Sequence, residues 1–419
     1  MSTRVLFCLA ILSAACGSKP PTPASKIEHL VVVIQENHTF DNHFGRYCTA
    51  APGSNPSCTS GPSCCEAAPA KEPSGASPID LDDAAMGTYD PNHESGCEAG
   101  EINNGAMDHF VTGTACSDPR NFAVSNASLV APYWAMAGQG ALADRYFQPV
   151  IGQSSSNDMY FARAGYVFRD NDIAPDATGQ VCGLPAMTMD YTDATIGDLL
   201  DAAHASWTYY GEGYQTMVDA LARKDCPEPD AACGAKLGFY PCVYTPTDNP
   251  FAYYPSLRKD PAHLRDLAVF GADLSAGTLP QVSFVKAIGF RTEHPGLNTK
   301  LSDGVAFVKN LTDQIAASPY AASTLVLVAY DEGGGYFDHV APPASPDEHP
   351  YGTRVPLIAL GPFARTNAIS HTQLEHSSIV RFIEWNWLGA EGQLGQRDRV
   401  VANLGSLLDA TRTGIAVPE

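Results

Sequence analysis

The chain has 419 residues, 44% of them hydrophobic and only 17% charged, which is enough apolar material for one large folded unit or two smaller ones. Its 25 basic residues stand against 46 acidic ones, a formal net charge of −21. That balance excludes nucleic acid and an anionic membrane face as partners for the general surface, while leaving room for a local cation that holds phosphate.

The N-terminus reads as an export signal. Arg4, the apolar run Val5 to Leu12 and the small residues before Cys16 predict a signal peptide over 1–15, too short to span a membrane. A cut directly before Cys16 resembles the bacterial lipoprotein signal, so a lipid anchor on Cys16 and a cell-envelope, periplasmic or secreted location are expected; the alternative is a plain signal with an incidental cysteine. Residues 16–26 have the composition of a tether. Ten cysteines remain after Cys8 and Cys16, all before residue 243: Cys48, Cys58, Cys64, Cys65, Cys97, Cys116, Cys182, Cys226, Cys233 and Cys242. An even number in an exported chain predicts disulfides that staple loop-rich insertions.

From 27 to the end the pattern is that of one domain. His29 to Asp41, HLVVVIQENHTFD, is a buried strand that closes on Glu36 and Asn37. Residues 46–105, rich in Gly, Pro, Ser, Ala and Cys, form a first excursion that contains Tyr89 to His93, YDPNH. PYWAMAGQGALADRYFQPV predicts a helix and a strand-like end, leading into Gly152 to Asn157, GQSSSN, and a helix from Asp158 to Gly165. Thr195 caps a helix that runs to Ala205, and Trp207 to Tyr210 is a strand. A second irregular excursion over 222–262 is followed by a helix around Leu264 to Leu274 and the strand Gln281 to Lys286. A loop with Glu293 and His294 precedes a helix from about Ser302 to Ala317, and the helix feeds the strand that opens TLVLVAYDEGGGYFDH at Thr324. Arg354 to Leu360 is another buried strand, and Ser377 to Trp387 an amphipathic helix. Strands alternating with helices predict an α/β fold, a mostly parallel central sheet with helices on both faces and disulfide-stapled insertions.

Two of those strands end on acids, Glu36 beside Asn37 and Asp331 beside Glu332. Sites in open α/β sheets lie beyond the carboxyl ends of the strands, and adjacent carboxylates repel unless a cation sits between them. The four residues together offer the oxygen ligands of one hard divalent ion, with Ca²⁺, Mg²⁺, Mn²⁺ and Zn²⁺ all open.

ENHTFDNHFG (36–45), NNGAMDHF (103–110), DEGGGYFDHVAPP (331–343), RVPLIALGPFA and HTQLEHSSIVRFIEW are similar, in this order, to motifs of the bacterial phosphoesterase family. That family contains phospholipases C and acid phosphatases and belongs to the alkaline-phosphatase-like superfamily. The resemblance implies metal ligation by Glu36, Asn37, Asp331 and Glu332, with Asn37 also touching phosphate. It implies a nucleophile in the Gly152-Gln153-Ser154 turn, hence Ser154 and a phosphoseryl intermediate, with Ser155 as the fallback. His93 and His294 become the phosphate-binding and proton-donating imidazoles, His294 the general acid. His339 is expected either to touch substrate or to orient the acidic loop. Asp248 stands where many relatives have His before Asn-Pro-Phe; either the pocket has one imidazole fewer, or Asp248 serves a second cation or an amine-bearing head group. His38, His43, His371 and His376 read as structural. The implied activity is hydrolysis of a phosphate-ester small molecule or a phospholipid head group. The chain's ending soon after the last family helix tilts the expectation toward a phosphatase over a phospholipase C. The other class is a catalytically silent envelope protein that binds a metal or a phosphorylated ligand.

Overall fold

The computed structural model describes residues 20–176, 180–185, 190–258 and 260–419, so the expected signal peptide, Cys16 and the start of the tether lie outside the described residues. Eight strands form one sheet: β1 His29–Gln35, β2 Ala141–Ala143, β3 Trp207–Gly211, β4 Leu264–Asp266, β5 Val282–Lys286, β6 Thr324–Tyr330, β7 Leu357–Leu360 and β8 Ala368–Ser370. Their order is β8-β2-β7-β6-β1-β5-β3-β4. Seven strands run in one direction, and β7 alone runs against both neighbours, β6 and β2.

β1 at the centre explains why its sequence is apolar without alternation. Leu30, Val32 and Ile34 pack into a core with Met159, Phe161, Ile379 and Val380. Val31 and Val33 pack into the opposite one with Val130, Val305 and Val308. The helices Ser154–Arg163 and His376–Ile383 thus cover one face, and Ala127–Gln139 and Leu301–Ala316 the other. Burial on both sides is what a parallel strand between helical layers requires.

Several element boundaries differ from the sequence expectation; the strand expected from Arg354, for one, begins only at Leu357. The segment from Leu264 opens as a strand, because Leu264 pairs with Tyr209 at the sheet edge and Asp266 accepts a hydrogen bond from Ala268 N, so the helix starts only at Phe270. The helix expected from Asp158 begins at Ser154, after an extended Gln153. The first excursion is not all loop; it contains the short helices Asp83–Thr88 and Ser95–Ile102. All ten cysteines pair, as Cys48–Cys65, Cys58–Cys64, Cys97–Cys116, Cys182–Cys226 and Cys233–Cys242. No helix among the described residues is long and apolar enough to cross a membrane.

Candidate active site

The parallel register of β1 with β6 sets Gln35 beside Tyr330, so the next residues, Glu36 and Asp331, leave the sheet side by side. Asn37, 294 positions from Asp331 in sequence, donates its backbone N–H to Asp331 Oδ1 at 3.2 Å. The chain then turns sharply. Asn37 holds a left-handed φ of 62°, and Thr39 and Asn42 cap the helix Phe40–Phe44 reciprocally. Gly334 accounts for part of the triple glycine: its φ is +64°, and a Cβ there would meet Asn37 O at 2.5 Å. Only glycine lets the second acidic turn lie this close over the first.

Ser154, half-buried at the start of its helix, donates to Glu332 Oε1 at 3.3 Å. Ser155 is buried, 1% exposed. His93 Nε2 lies 3.5 Å from Glu332 Oε1 and 3.4 Å from Asn37 Nδ2, while its Nδ1 bonds the carbonyl of Pro91. His294 bonds Pro295 O through Nδ1 and faces His93 edge-on, ring centroids 6.0 Å apart. Both imidazoles therefore keep Nε2 for the site, the arrangement of a proton carrier or a ligand. Asp248 completes the wall; burial, and then the field of Glu36, push its carboxyl up to about 7.

The structure thus brings Glu36, Asn37, Asp331, Glu332, Ser154, His93, His294 and Asp248 to one end of the sheet. His339 lies apart. Its Nδ1 meets Asp41 at 2.8 Å and its Nε2 meets Glu66 at 2.9 Å, which leaves no ring nitrogen for a substrate. Of its two expected roles the placement matches the orienting one. The imidazole ties the acidic loop to the disulfide-bonded excursion at Glu66. Burial by itself would lower the His339 pKa, but Asp41 outweighs it and raises the ring to about 9. This histidine titrates near 6.5 when unfolded. Its contribution to stability is therefore complete below about pH 6.5 and disappears as pH rises through about 9, on the order of 3 kcal/mol at most. Urea unfolding between pH 6 and 9.5 is expected to reveal that loss in the wild type, and His339→Gln to flatten it; equal slopes would contradict the assignment.

His38 and His43 are fully buried with Glu293, whose carboxylate also accepts from Tyr330 at 2.7 Å and from Tyr133. His376 supports the site from below: its Nε2–H donates to Asp331 O (2.7 Å), and its Nδ1 accepts from the Tyr146 hydroxyl (2.6 Å). His371 pairs with Asp144 on the outer strands.

Sequence reasoning missed three groups. Lys286, at the end of β5, sends Nζ to 2.6 Å from Asp158 Oδ2, 2.9 Å from Glu36 Oε1 and 3.5 Å from Asp331 Oδ2. The signal was a lysine closing a mostly apolar strand, VSFVK, much as Glu36 and Asp331 follow theirs. Asp158 is fully buried beside it. Tyr240, in the irregular second excursion, donates to Glu36 Oε2 at 2.8 Å, and no local pattern marks it.

The charges decide what the site can hold. Burial raises Glu332 and Asp158 well above the usual carboxylate range, with Asp331 adding to both, and burial lifts Asp331 to about 6. Against these acids the described residues set one ammonium, and Asn37 Oδ1 is buried with no hydrogen-bond partner. An orphaned amide oxygen beside a surplus of carboxylates fits a hard divalent ion. Among the described residues, three sets of side chains bring ligand atoms within 4.8 Å of one another: Asp90, His93 and His294; His38, His43 and Glu293; Asp41, Asp338 and His339. Only the first adjoins Glu332, and the expected quartet is not among them.

The sequence profile of the Phosphoesterase family matches residues 27–388. The chain belongs to the Phosphoesterase family. It is 25% identical to the hemolytic phospholipase C of Pseudomonas aeruginosa, over 93% of this chain and 56% of that protein. It is 24% identical to phospholipase C B of Mycobacterium tuberculosis, over 89% of this chain and 76% of that one. The chain thus spans little more than half the length of the Pseudomonas relative. A solved protein of the alkaline phosphatase superfamily from Vibrio parahaemolyticus aligns with 93% of this phosphoesterase chain and 73% of its own, at 10% identity and a TM-score of 0.38.

Proposed function

We propose that this phosphoesterase hydrolyses phosphoric esters through Ser154, by way of a phosphoseryl intermediate. The observation that carries the reading is the hydroxyl of Ser154 on Glu332 Oε1, beside the Nε2 of His93 and the unpartnered Oδ1 of Asn37. Asn37 and Glu332, with Asp331 behind them, would hold a divalent ion, which when bound acidifies the serine hydroxyl and neutralises phosphoryl oxygens.

Ser154 Oγ attacks phosphorus in line with the ester oxygen, and its proton passes to the carboxylate it faces, Glu332. The P–O bond to the leaving alcohol breaks as His294 Nε2 gives that oxygen a proton. Water then attacks the phosphoserine and yields its proton to His294. The P–Oγ bond breaks, and Ser154 recovers its proton from Glu332. His93, its Nδ1–H held by Pro91 O, is the imidazole placed to bind phosphoryl oxygen, which it does through Nε2–H as the imidazolium.

A second reading, a phospholipase C that releases diacylglycerol, is favoured by the names of the relatives and by two exposed apolar side chains that neighbour site residues in sequence. Phe239 (46% exposed) adjoins Tyr240, and Leu297 (42%) follows His294 by three residues. Such groups suit a lipid–water interface. Purified protein with divalent ion, given p-nitrophenyl phosphate, bis(p-nitrophenyl) phosphate and phosphatidylcholine, separates the two; diacylglycerol release without turnover of the monoester selects the phospholipase. Acid quench during turnover is expected to yield phosphoserine on the Ser154 peptide. No turnover of any of the three would instead select a silent binding protein.

A further inference from the structure

Glu36, Asp158, Asp248, Asp331 and Glu332 put five carboxylates around one end of the sheet, and the ammonium among them comes from β5. Lys286 is the last residue of that strand, registered between Ile34 of β1 and Gly211 of β3, and is 3% exposed. Its position on the carboxyl edge sends Nζ into the gap where Glu36 and Asp331 leave their strands. There it meets one oxygen each of Asp158, Glu36 and Asp331 at 2.6, 2.9 and 3.5 Å. Three oxygens on one Nζ match the three donors of an ammonium. A cluster of carboxylate oxygens converging on one point is also what a hard metal ion selects.

Two of the three acids expected to share an ion with Asn37, Glu36 and Glu332, are engaged differently. Both oxygens of Glu36 are taken: Oε1 by Lys286, and Oε2 by the hydroxyls of Tyr240 (2.8 Å) and Thr292. Glu332 Oε1, by contrast, faces only the serine hydroxyl at 3.3 Å and the His93 ring at 3.5 Å, and the Oδ1 of Asn37 has no partner. One side of the pocket is therefore already neutralised and hydrogen-bonded, and the other retains open ligand atoms.

We propose that Lys286 is a resident cation whose ammonium occupies the place between Glu36, Asp158 and Asp331 that a second divalent ion would otherwise take. Glu36 is then a partner of the lysine rather than a metal ligand, and the pocket takes its one divalent ion at Asn37 and Glu332. This rests on the metal-dependent reading above for the ion on the Asn37 side, and on geometry alone for the lysine. A fixed ammonium holds Glu36, Asp158 and Asp331 in place whatever the supply of metal, so the pocket needs only one ion from solution.

Equilibrium dialysis of the purified chain against MnCl₂, followed by elemental analysis, tests this directly. Lys286→Ala is expected to bind one more Mn²⁺ per chain than the wild type. Glu36→Gln is expected to bind Mn²⁺ within about threefold of wild-type affinity, whereas Asn37→Ala weakens it about tenfold or more. An alanine variant with native near-UV circular dichroism and no extra ion would overturn the proposal. So would a tenfold loss of affinity in Glu36→Gln, an arm that decides the matter even if Lys286→Ala fails to fold. A wild type that binds no Mn²⁺ removes the metal-dependent hydrolase reading instead, and an additional ion in Lys286→Ala would then still support the lysine's role.

Discussion

Ser154→Ala is expected to lower kcat/KM for phosphoester hydrolysis by about 10⁴-fold or more, the scale seen when a nucleophile that acts as one unit with its base is deleted. Folding should barely change. Ser154 is half-buried at the first position of its helix, and no side-chain bond caps that helix, so the lost hydroxyl leaves no buried backbone group unsatisfied. Its removal should shift unfolding by less than about 0.5 kcal/mol. Ser155→Ala is the control, since Ser155 is buried in the helix rather than set against Glu332. Steady-state kinetics with a chromogenic ester, beside urea unfolding of each variant, checks both statements. If Ser154→Ala keeps activity within about tenfold of wild type while Ser155→Ala loses it, the register of the turn has been misread.

Arg354→Met is expected to cost about 3–5 kcal/mol, enough to leave a domain of ordinary stability largely unfolded. The guanidinium is 0% exposed. It bonds Asp338 at 2.8 and 3.1 Å, Asp41 at 3.1 Å and the carbonyl of Asp144 at 3.1 Å, and lies over the ring of Phe40. Methionine fills much of the volume but strands Asp41 and Asp338, two fully buried carboxylates, with His339 as their remaining cation. Removing one partner of a buried ion network is costlier than replacing the whole network with apolar groups. Arg354→Met combined with Asp338→Leu should therefore recover part of the lost stability. A single variant with a urea midpoint like the wild type would show that the network contributes little.

The acidic strand ends were legible because they are local. A β-branched run that stops on Glu36 or Asp331 announces both a buried strand and the end of it, and the same rule, applied without preference for acids, would have marked Lys286. Tyr240 had no such signal, since it comes from a stretch without periodicity and reaches Glu36 across 204 positions of sequence. For His339 the sequence leaves two roles open, substrate contact or orientation of the acidic loop, because its motif adjoins the acids in sequence. In space the chain has already turned away, at the left-handed Gly334 and Gly335, toward Asp41 and Glu66.

By itself the sequence determined the α/β class, the two acidic strand ends, an even set of cysteines confined to the first part of the chain, and membership in a family through motifs in a fixed order. These follow from short-range patterns of burial and turn chemistry, which every window of the chain carries whether or not it is folded. Only the tertiary structure decided which serine faces Glu332, how the cysteines pair, and that an ammonium from β5 stands between Glu36 and Asp158. Those depend on strand register and on which side chains converge beyond the sheet edge. Such distances arise only when segments far apart in sequence pack together, and no local pattern encodes them.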